Sequence, residues 1–218
     1  MNDTIYGVFG ASGFGREVLP LLREQINQSN SQIFFVDDTP PSKVLNGIDV
    51  VTFEEFNSFP SLNKYLTIAI ADSSVREKLF HRCEQAKIEI IDVVAKNTIK
   101  MDEVRIGKGY IISPFCTLTS NIKIGVGFQA NIYSYVAHDC DIGDFVTFAP
   151  SVKCNGNVKI ENHAYIGTGA VIKQGRTGRP LIIGEGAVVG MGAVVTKNVP
   201  AGDVVVGNPA KSIKRKIG

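Results

Sequence analysis

From Ile106 onward every sixth residue is apolar: Ile112, Leu118, Ile124, Ala130, Val136, Ile142, Phe148, Cys154, Ile160, Ile166 and Ile172. A repeat of six is one short strand and a turn, too small to bury its own apolar side, so it must stack on the next repeat. The residue after each of these is often small (Gly107, Ser113, Gly125, Ala137, Gly143, Ala149, Gly167), as a chain turning beside its own next layer requires. Two places before them run Cys116, Ile122, Phe128, Cys140, Val146, Val152, Val158, Ala164 and Ala170. Both sets are expected to face inward. Residues 106 to about 211 therefore read as a parallel β-helix, with backbone bonds running between coils roughly 4.8 Å apart. The register breaks over residues 173–181 and resumes, shifted, at Ile183, Val189 and Val195, so that stretch is expected to leave the helix as a loop. Residues 198–211 read as an extended closing segment, followed by a basic tail forming a solvated end cap.

The first 95 residues have another rhythm. An apolar run from Ile5 to Phe9 leads into Gly10-Ala11-Ser12-Gly13-Phe14-Gly15, and Val18, Leu21, Leu22 and Ile26 follow at helical spacing. This predicts strand, glycine-rich turn and helix. A second strand over residues 33–36 ends at Asp37-Asp38, and a third over residues 66–70 ends at Ala71-Asp72-Ser73. The stretch from Ser74 to Glu77 matches a capping box for a helix reaching about Ala86, and residues 88–91 read as a last short strand. The result is a small parallel α/β sheet whose ligand site lies at the strand C-termini. Two domains are expected, residues 1–95 and residues 96–218.

Charge excludes whole classes of partner. With 23 basic and 21 acidic residues the net charge is +2, too small to indicate nucleic acid or an anionic membrane. The N-terminus lacks a charged lead with an apolar core, so the chain is expected in the cytoplasm. Cys83, Cys116, Cys140 and Cys154 stand in no CxxC arrangement and read as reduced packing residues rather than zinc ligands.

The glycines are spaced G-x-x-G-x-G, not the G-x-G-x-x-G of a dinucleotide fold, which argues against NAD-dependent chemistry. Such a turn at a helix N-terminus offers N–H groups to phosphate oxygens, and Asp37 or Asp38 can accept from hydroxyls or a base N–H. Of three histidines, His81 reads as a surface residue and His163 as outward and superficial. His138 stands two places after the inward Val136 and beside Asp139. An outward imidazole with an adjacent carboxylate suits a general base whose tautomer is fixed.

Taken with Asn155-Gly156-Asn157-Val158, Ile166-Gly167 and the closing Gly207-Asn208-Pro209-Ala210-Lys211, these motifs make the chain resemble the hexapeptide-repeat acyltransferases. The likeness is to the sugar-nucleotide N-acetyltransferases acting on UDP-, dTDP- or GDP-linked 4-amino sugars, and to the related sialic acid O-acetyltransferases. It implies a Rossmann-like nucleotide-sugar-binding domain followed by a left-handed parallel β-helix, a homotrimer with acetyl-CoA between neighbouring helices, no metal, and a role in polysaccharide or glycan biosynthesis. By that resemblance His138 is the general base and Asp139 its orienting carboxylate. Asn131 matches a substrate contact near the amine, and Gly156, Thr168 and Met191 match pantetheine and thioester contacts. Gly10, Ser12, Gly13, Asp37 and Asp38 match nucleotide-sugar contacts. Many relatives carry histidine where Phe14 stands and some carry a second outward histidine where Thr147 stands, so contacts of those histidines do not transfer. Arg176 and Arg179 on the predicted loop are either contacts for the CoA 3′-phosphate or solvated arginines. Three rival readings are O-acetylation of a sialic acid or similar sugar, a γ-type carbonic anhydrase, which needs three zinc-binding histidines, and a non-enzymatic scaffold.

Overall fold

The computed structural model describes residues 4–26, 31–40 and 42–213; the first three residues and the basic tail from Lys214 lie outside them. The chain divides into two compact units, Met1–Val94 and Ala95–Gly218.

In the first unit the elements are β1 (Thr4–Phe9), α1 (Gly13–Gln25), β2 (Ser31–Val36), β3 (Val44–Leu45), β4 (Ile48–Val51), α2 (Phe53–Ser58), β5 (Asn63–Ile68), α3 (Ser73–Gln85) and β6 (Glu89–Ile90). The sheet runs β3-β4-β2-β1-β5-β6, parallel except for β3 against β4. The strand order reverses at β1, which lies between β2 and β5, and in such sheets ligands bind beyond the strand C-termini at this switch point. Val8, Phe35 and Leu66 of the sheet, Val18 and Leu22 of α1 and Phe56 of α2 are all fully buried, with Leu66 and Phe56 meeting beside Gly7.

Three expectations are corrected here. The glycine run is not all turn, because α1 begins at Gly13 and takes Gly15 into its first turn. Ser74 does not cap α3; the Asp72 carboxylate does, accepting from the Val75 N–H at 2.9 Å. A capping box closes α2 instead, where the Thr52 hydroxyl accepts from Glu55 N–H and the Glu55 carboxylate accepts from Thr52 N–H. β5 stops at Ile68, before the expected Ile70, since the carbonyls of Ile70 and Ala71 turn away to the Arg76 guanidinium.

The second unit is a left-handed parallel β-helix with three faces. The first face stacks Ile111–Ile112, Gln129–Ala130, Thr147–Phe148, Tyr165–Ile166, Val188–Val189 and Val204–Val206. The second stacks Ile99–Lys100, Thr117–Leu118, Tyr135–Val136, Lys153–Cys154, Val171–Ile172 and Val194–Val195, and the third Val104–Ile106, Ile122–Ile124, Asp141–Ile142, Val158–Ile160 and Leu181–Ile183. Both predicted inward sets are buried, apart from the half-buried Ile106 that starts the first. Ser134 also points inward, and its hydroxyl is satisfied there by the Ala149 carbonyl and the Val152 N–H. Burial pushes the Cys83 and Cys116 thiols up to about 12 and about 11, which leaves them inert at neutral pH.

Ile142 pairs with Ile160, eighteen residues on, whereas Ile160 pairs with Ile183, twenty-three on, so the predicted loop inserts five residues into one coil. Its tip is closed by reciprocal backbone bonds between Arg176 and Arg179, and it is tied to the preceding coil by bonds from Gly175 N–H to the Gly156 carbonyl and from Leu181 N–H to the Asn157 carbonyl. The closing segment is not simply extended: Val204–Val206 adds a rung to the first face, and Lys211–Ser212 reverses against it.

Candidate active site

After Tyr135–Val136 the chain turns the edge between the second and third faces through Ala137, His138 and Asp139, and Cys140 returns inward. At this edge the turn residue adopts a left-handed conformation in successive coils, at Asn121, Asp139 and Asn157, with φ of 57°, 58° and 56°. Asn and Asp tolerate that conformation better than other side chains with a Cβ, which is a local reason for their recurrence. Backbone bonds from Asn157 N–H to the His138 carbonyl and from Asp139 N–H to the Ser120 carbonyl fix the corner to the coils on either side.

His138 Nδ1 lies 2.7 Å from Asp139 Oδ2, and each side chain is about half exposed, 48% and 47%. A carboxylate only accepts, so Nδ1 carries the proton, and in the neutral imidazole the lone pair then lies on Nε2. The flat of the ring rests on Gly156, one coil further on: a Cβ built there would stand 2.5 Å from Cε1 and 2.6 Å from Nε2 of His138. Gly156, expected as a pantetheine contact, thus has the imidazole itself as neighbour. Beside it the Tyr135 hydroxyl donates to Asn155 Oδ1 at 2.9 Å, and Asn155 Nδ2 donates to the Ile172 carbonyl at 2.8 Å.

The same edge continues past Gly156, whose carbonyl accepts from Gly175 N–H, into a groove lined by Lys173, Arg176, Arg179 and Lys197 and by no carboxylate. Arg176 and Arg179 therefore belong to a four-cation cluster on the His138 edge.

The other predicted contacts of the β-helix lie elsewhere. Asn131, Thr168 and Met191 stand on the edge between the first and second faces. There Asn131 Nδ2 donates to the Phe148 carbonyl, the Thr168 carbonyl accepts from Gly192 N–H, and Met191 is 81% exposed. Within one chain they are not brought to His138. His163 occupies the third edge, stacked on Phe145 at 5.5 Å rather than free at the surface, and His81 is exposed beside Glu84. Among the described residues, no group of three or more His, Cys, Asp or Glu side chains converges as a metal site does.

In the first unit Asp37 meets the predicted glycine turn, whereas Asp38 bonds α2 and α3. Gly10 takes φ of 110° and donates its N–H to the Val36 carbonyl, while Ala11 N–H donates to Asp37 Oδ2 at 3.0 Å. Gly15 lets α1 sit on the turn, since a Cβ there would stand 1.8 Å from the Gly10 carbonyl oxygen. Gly13 is different, because a Cβ there would meet nothing within 4 Å. Ser12 is the N-cap of α1 yet makes no side-chain cap bond, so its hydroxyl is not spent on the helix.

Both carboxylates are engaged inside the unit. Asp37 Oδ1 also accepts from Thr39 N–H. Asp38 accepts from Phe53 N–H and forms a close ion pair with Arg82, which bonds Glu54 as well and lies 4.0 Å over the Phe53 ring. Burial acts to raise the Asp38 carboxyl, but the Phe53 N–H and Arg82 outweigh it and hold the carboxyl below its ordinary range. Asp38 thus braces α2 and α3. Sequence reasoning missed its partner Arg82, for which a helix-surface arginine 44 residues away gave no signal.

Four likenesses bear on what this geometry does. The PglD N-terminal domain family matches residues 7–83. A GDP-perosamine N-acetyltransferase from Escherichia coli is 52% identical over 214 residues, 97% of each chain. Among solved structures, WeeI from Acinetobacter baumannii AYE is 58% identical with a TM-score of 0.93, covering 96% of this chain and 100% of its own. The acetyltransferase domain of PglB from Neisseria gonorrhoeae, solved in complex with acetyl coenzyme A, is 26% identical with a TM-score of 0.84, covering 98% of this chain and 100% of its own.

Proposed function

This chain belongs to the nucleotide-sugar N-acetyltransferases of the hexapeptide-repeat fold, and on that premise we propose that it transfers acetyl from acetyl-CoA to the 4-amino group of a GDP-linked amino-deoxy sugar of the perosamine type. The carrying observation is His138, held by Asp139 through Nδ1 and seated on Gly156 so that Nε2 is the open acceptor. The choice of nucleotide and sugar rests on the 52% identity to the Escherichia coli enzyme.

In the proposed reaction Nε2 of His138 accepts a proton from the amine as its nitrogen bonds to the thioester carbonyl carbon. The negative charge on Asp139 stabilises the imidazolium. When the tetrahedral intermediate collapses, the C–S bond breaks and the imidazolium returns the proton to the leaving thiolate. The developing oxyanion takes a backbone N–H of a neighbouring copy.

Because Asn131, Thr168 and Met191 occupy a different edge from His138, a site using both sets is built from two copies. Closing that contact head to tail around an axis gives a ring, and the proposed ring is a homotrimer. On the His138 edge the four-cation groove receives the phosphates of CoA. Gly10, Ser12, Gly13 and Asp37 serve the nucleotide sugar, with phosphate at the α1 N-terminus. Asp38 supports them through Arg82. No described helix is long and apolar enough to cross a membrane, and the proposed setting is the cytoplasm, with the product feeding surface polysaccharide or glycan assembly.

The test is release of free CoA thiol from acetyl-CoA by the purified protein with GDP-perosamine. One thiol per N-acetylated sugar supports the reading. Acetylation of free sialic acid in preference to the nucleotide sugar overturns it in favour of O-acetylation.

A further inference from the structure

Arg76 is fully buried in a small α/β unit, where arginine is scarcely ever found unless its donors are satisfied. Its Nη1 donates to two successive carbonyls at the C-terminal end of β5, Ile70 at 2.6 Å and Ala71 at 3.1 Å. Those carbonyls belong to the loop that crosses in front of the glycine turn. A Cβ on Gly10 would stand 2.8 Å from the Ala69 carbonyl and 2.9 Å from Ile70 Cδ1, so the Ile70 side chain and the Gly10 backbone are in contact. The other end of the loop is held by Asp72, which caps α3 and whose charge favours the guanidinium. Burial nonetheless pushes the Arg76 titration down to about 10, a sign of how far the charge is removed from water. An apolar side chain would fill the same space without that penalty. What it would not do is tie down two carbonyls in the loop that follows β5, beside the switch point.

We propose that Arg76 is a positioning residue of the nucleotide-sugar site, acting through the carbonyls of Ile70 and Ala71 to hold the β5–α3 loop, and with it Ile70, against the Gly10 turn. This rests on the reading that the turn takes the nucleotide sugar. A guanidinium at that place preorganises the loop, so that binding does not have to order it.

The experiment compares wild type with Arg76→Met, Arg76→Lys and Ile70→Ala, measuring kcat, the KM for GDP-perosamine and the KM for acetyl-CoA separately, with a thermal melt of each. The expected result is a KM for the nucleotide sugar raised about tenfold in Arg76→Met, with partial rescue in Arg76→Lys. Ile70→Ala, which leaves the guanidinium in place, is expected to show the same selective rise. The KM for acetyl-CoA stays within about twofold throughout. If Arg76→Met does not fold, the other two variants decide. Lower melting temperatures with an unchanged nucleotide-sugar KM overturn the positioning role and leave Arg76 a structural residue. A wild type that turns over no nucleotide sugar overturns the functional reading itself, and the positioning role with it.

Discussion

The imidazole of His138 lies flat on the α-carbon of Gly156, a residue eighteen places along the chain and one coil away. The contact joins the chemistry to the architecture, because only a coil without a side chain at that point leaves room for the ring.

Gly156→Ala separates stability from activity. The added methyl meets the end of a rotatable side chain and not backbone, so the ring moves and the coil remains. Melting temperature is expected to change little. A base displaced by about 1 Å costs up to roughly a hundredfold, so kcat is expected to fall between tenfold and a hundredfold in steady-state assays of the folded variant.

Asp139→Asn tests the carboxylate alone. Asn121 and Asn157 already occupy the equivalent left-handed position in the adjoining coils, so the corner is expected to keep its shape. What is lost is the charged acceptor for Nδ1–H. A fall in kcat of at least about tenfold, with an unchanged melt and an unchanged KM for acetyl-CoA, is the expected outcome.

The two glycines in the first turn of α1 are expected to behave oppositely. Gly15→Ala drives a methyl into the Gly10 carbonyl and is expected to destabilise by about 1–3 kcal/mol or more, read from chemical denaturation. Gly13→Ala meets no protein atom and replaces the glycine at the first helical position, lowering the freedom of the unfolded chain, so it is expected to be neutral or to stabilise by up to about 1 kcal/mol. Its effect should appear instead as weaker binding of GDP in thermal-shift titration.

The cationic groove is expected to read phosphate. Arg176→Ala with Arg179→Ala should raise the KM for acetyl-CoA about tenfold, and acetyl-dephospho-CoA or added salt should erase much of the difference from wild type. The KM for the nucleotide sugar should not move. Equal KM values for acetyl-CoA in both proteins would make these solvated loop arginines.

The β-helix was legible because its period is local: each inward residue announces itself six places after the last, and the break after Ile172 marks the loop for the same reason. His138 was found by its phase relative to Val136. The first unit was less legible. Glycine's poor helix propensity argues for a turn through Gly15, and what overrides it is the tertiary contact with the Gly10 carbonyl, which a single stretch of sequence does not display. The hairpin of β3 and β4 with α2 carries no sustained period, and went unread. Asp38 finds Arg82 only through the fold. The seat of His138 on Gly156, by contrast, follows from counting three repeats to the coil, a step the six-residue pattern permits but does not itself make.

The most direct test of the central claim is kcat of His138→Ala with GDP-perosamine and acetyl-CoA, on protein shown by thermal shift still to bind both. An outward imidazole acting as the base predicts a loss of about two to four powers of ten. A variant that binds both substrates and keeps kcat within a few-fold of wild type would contradict it.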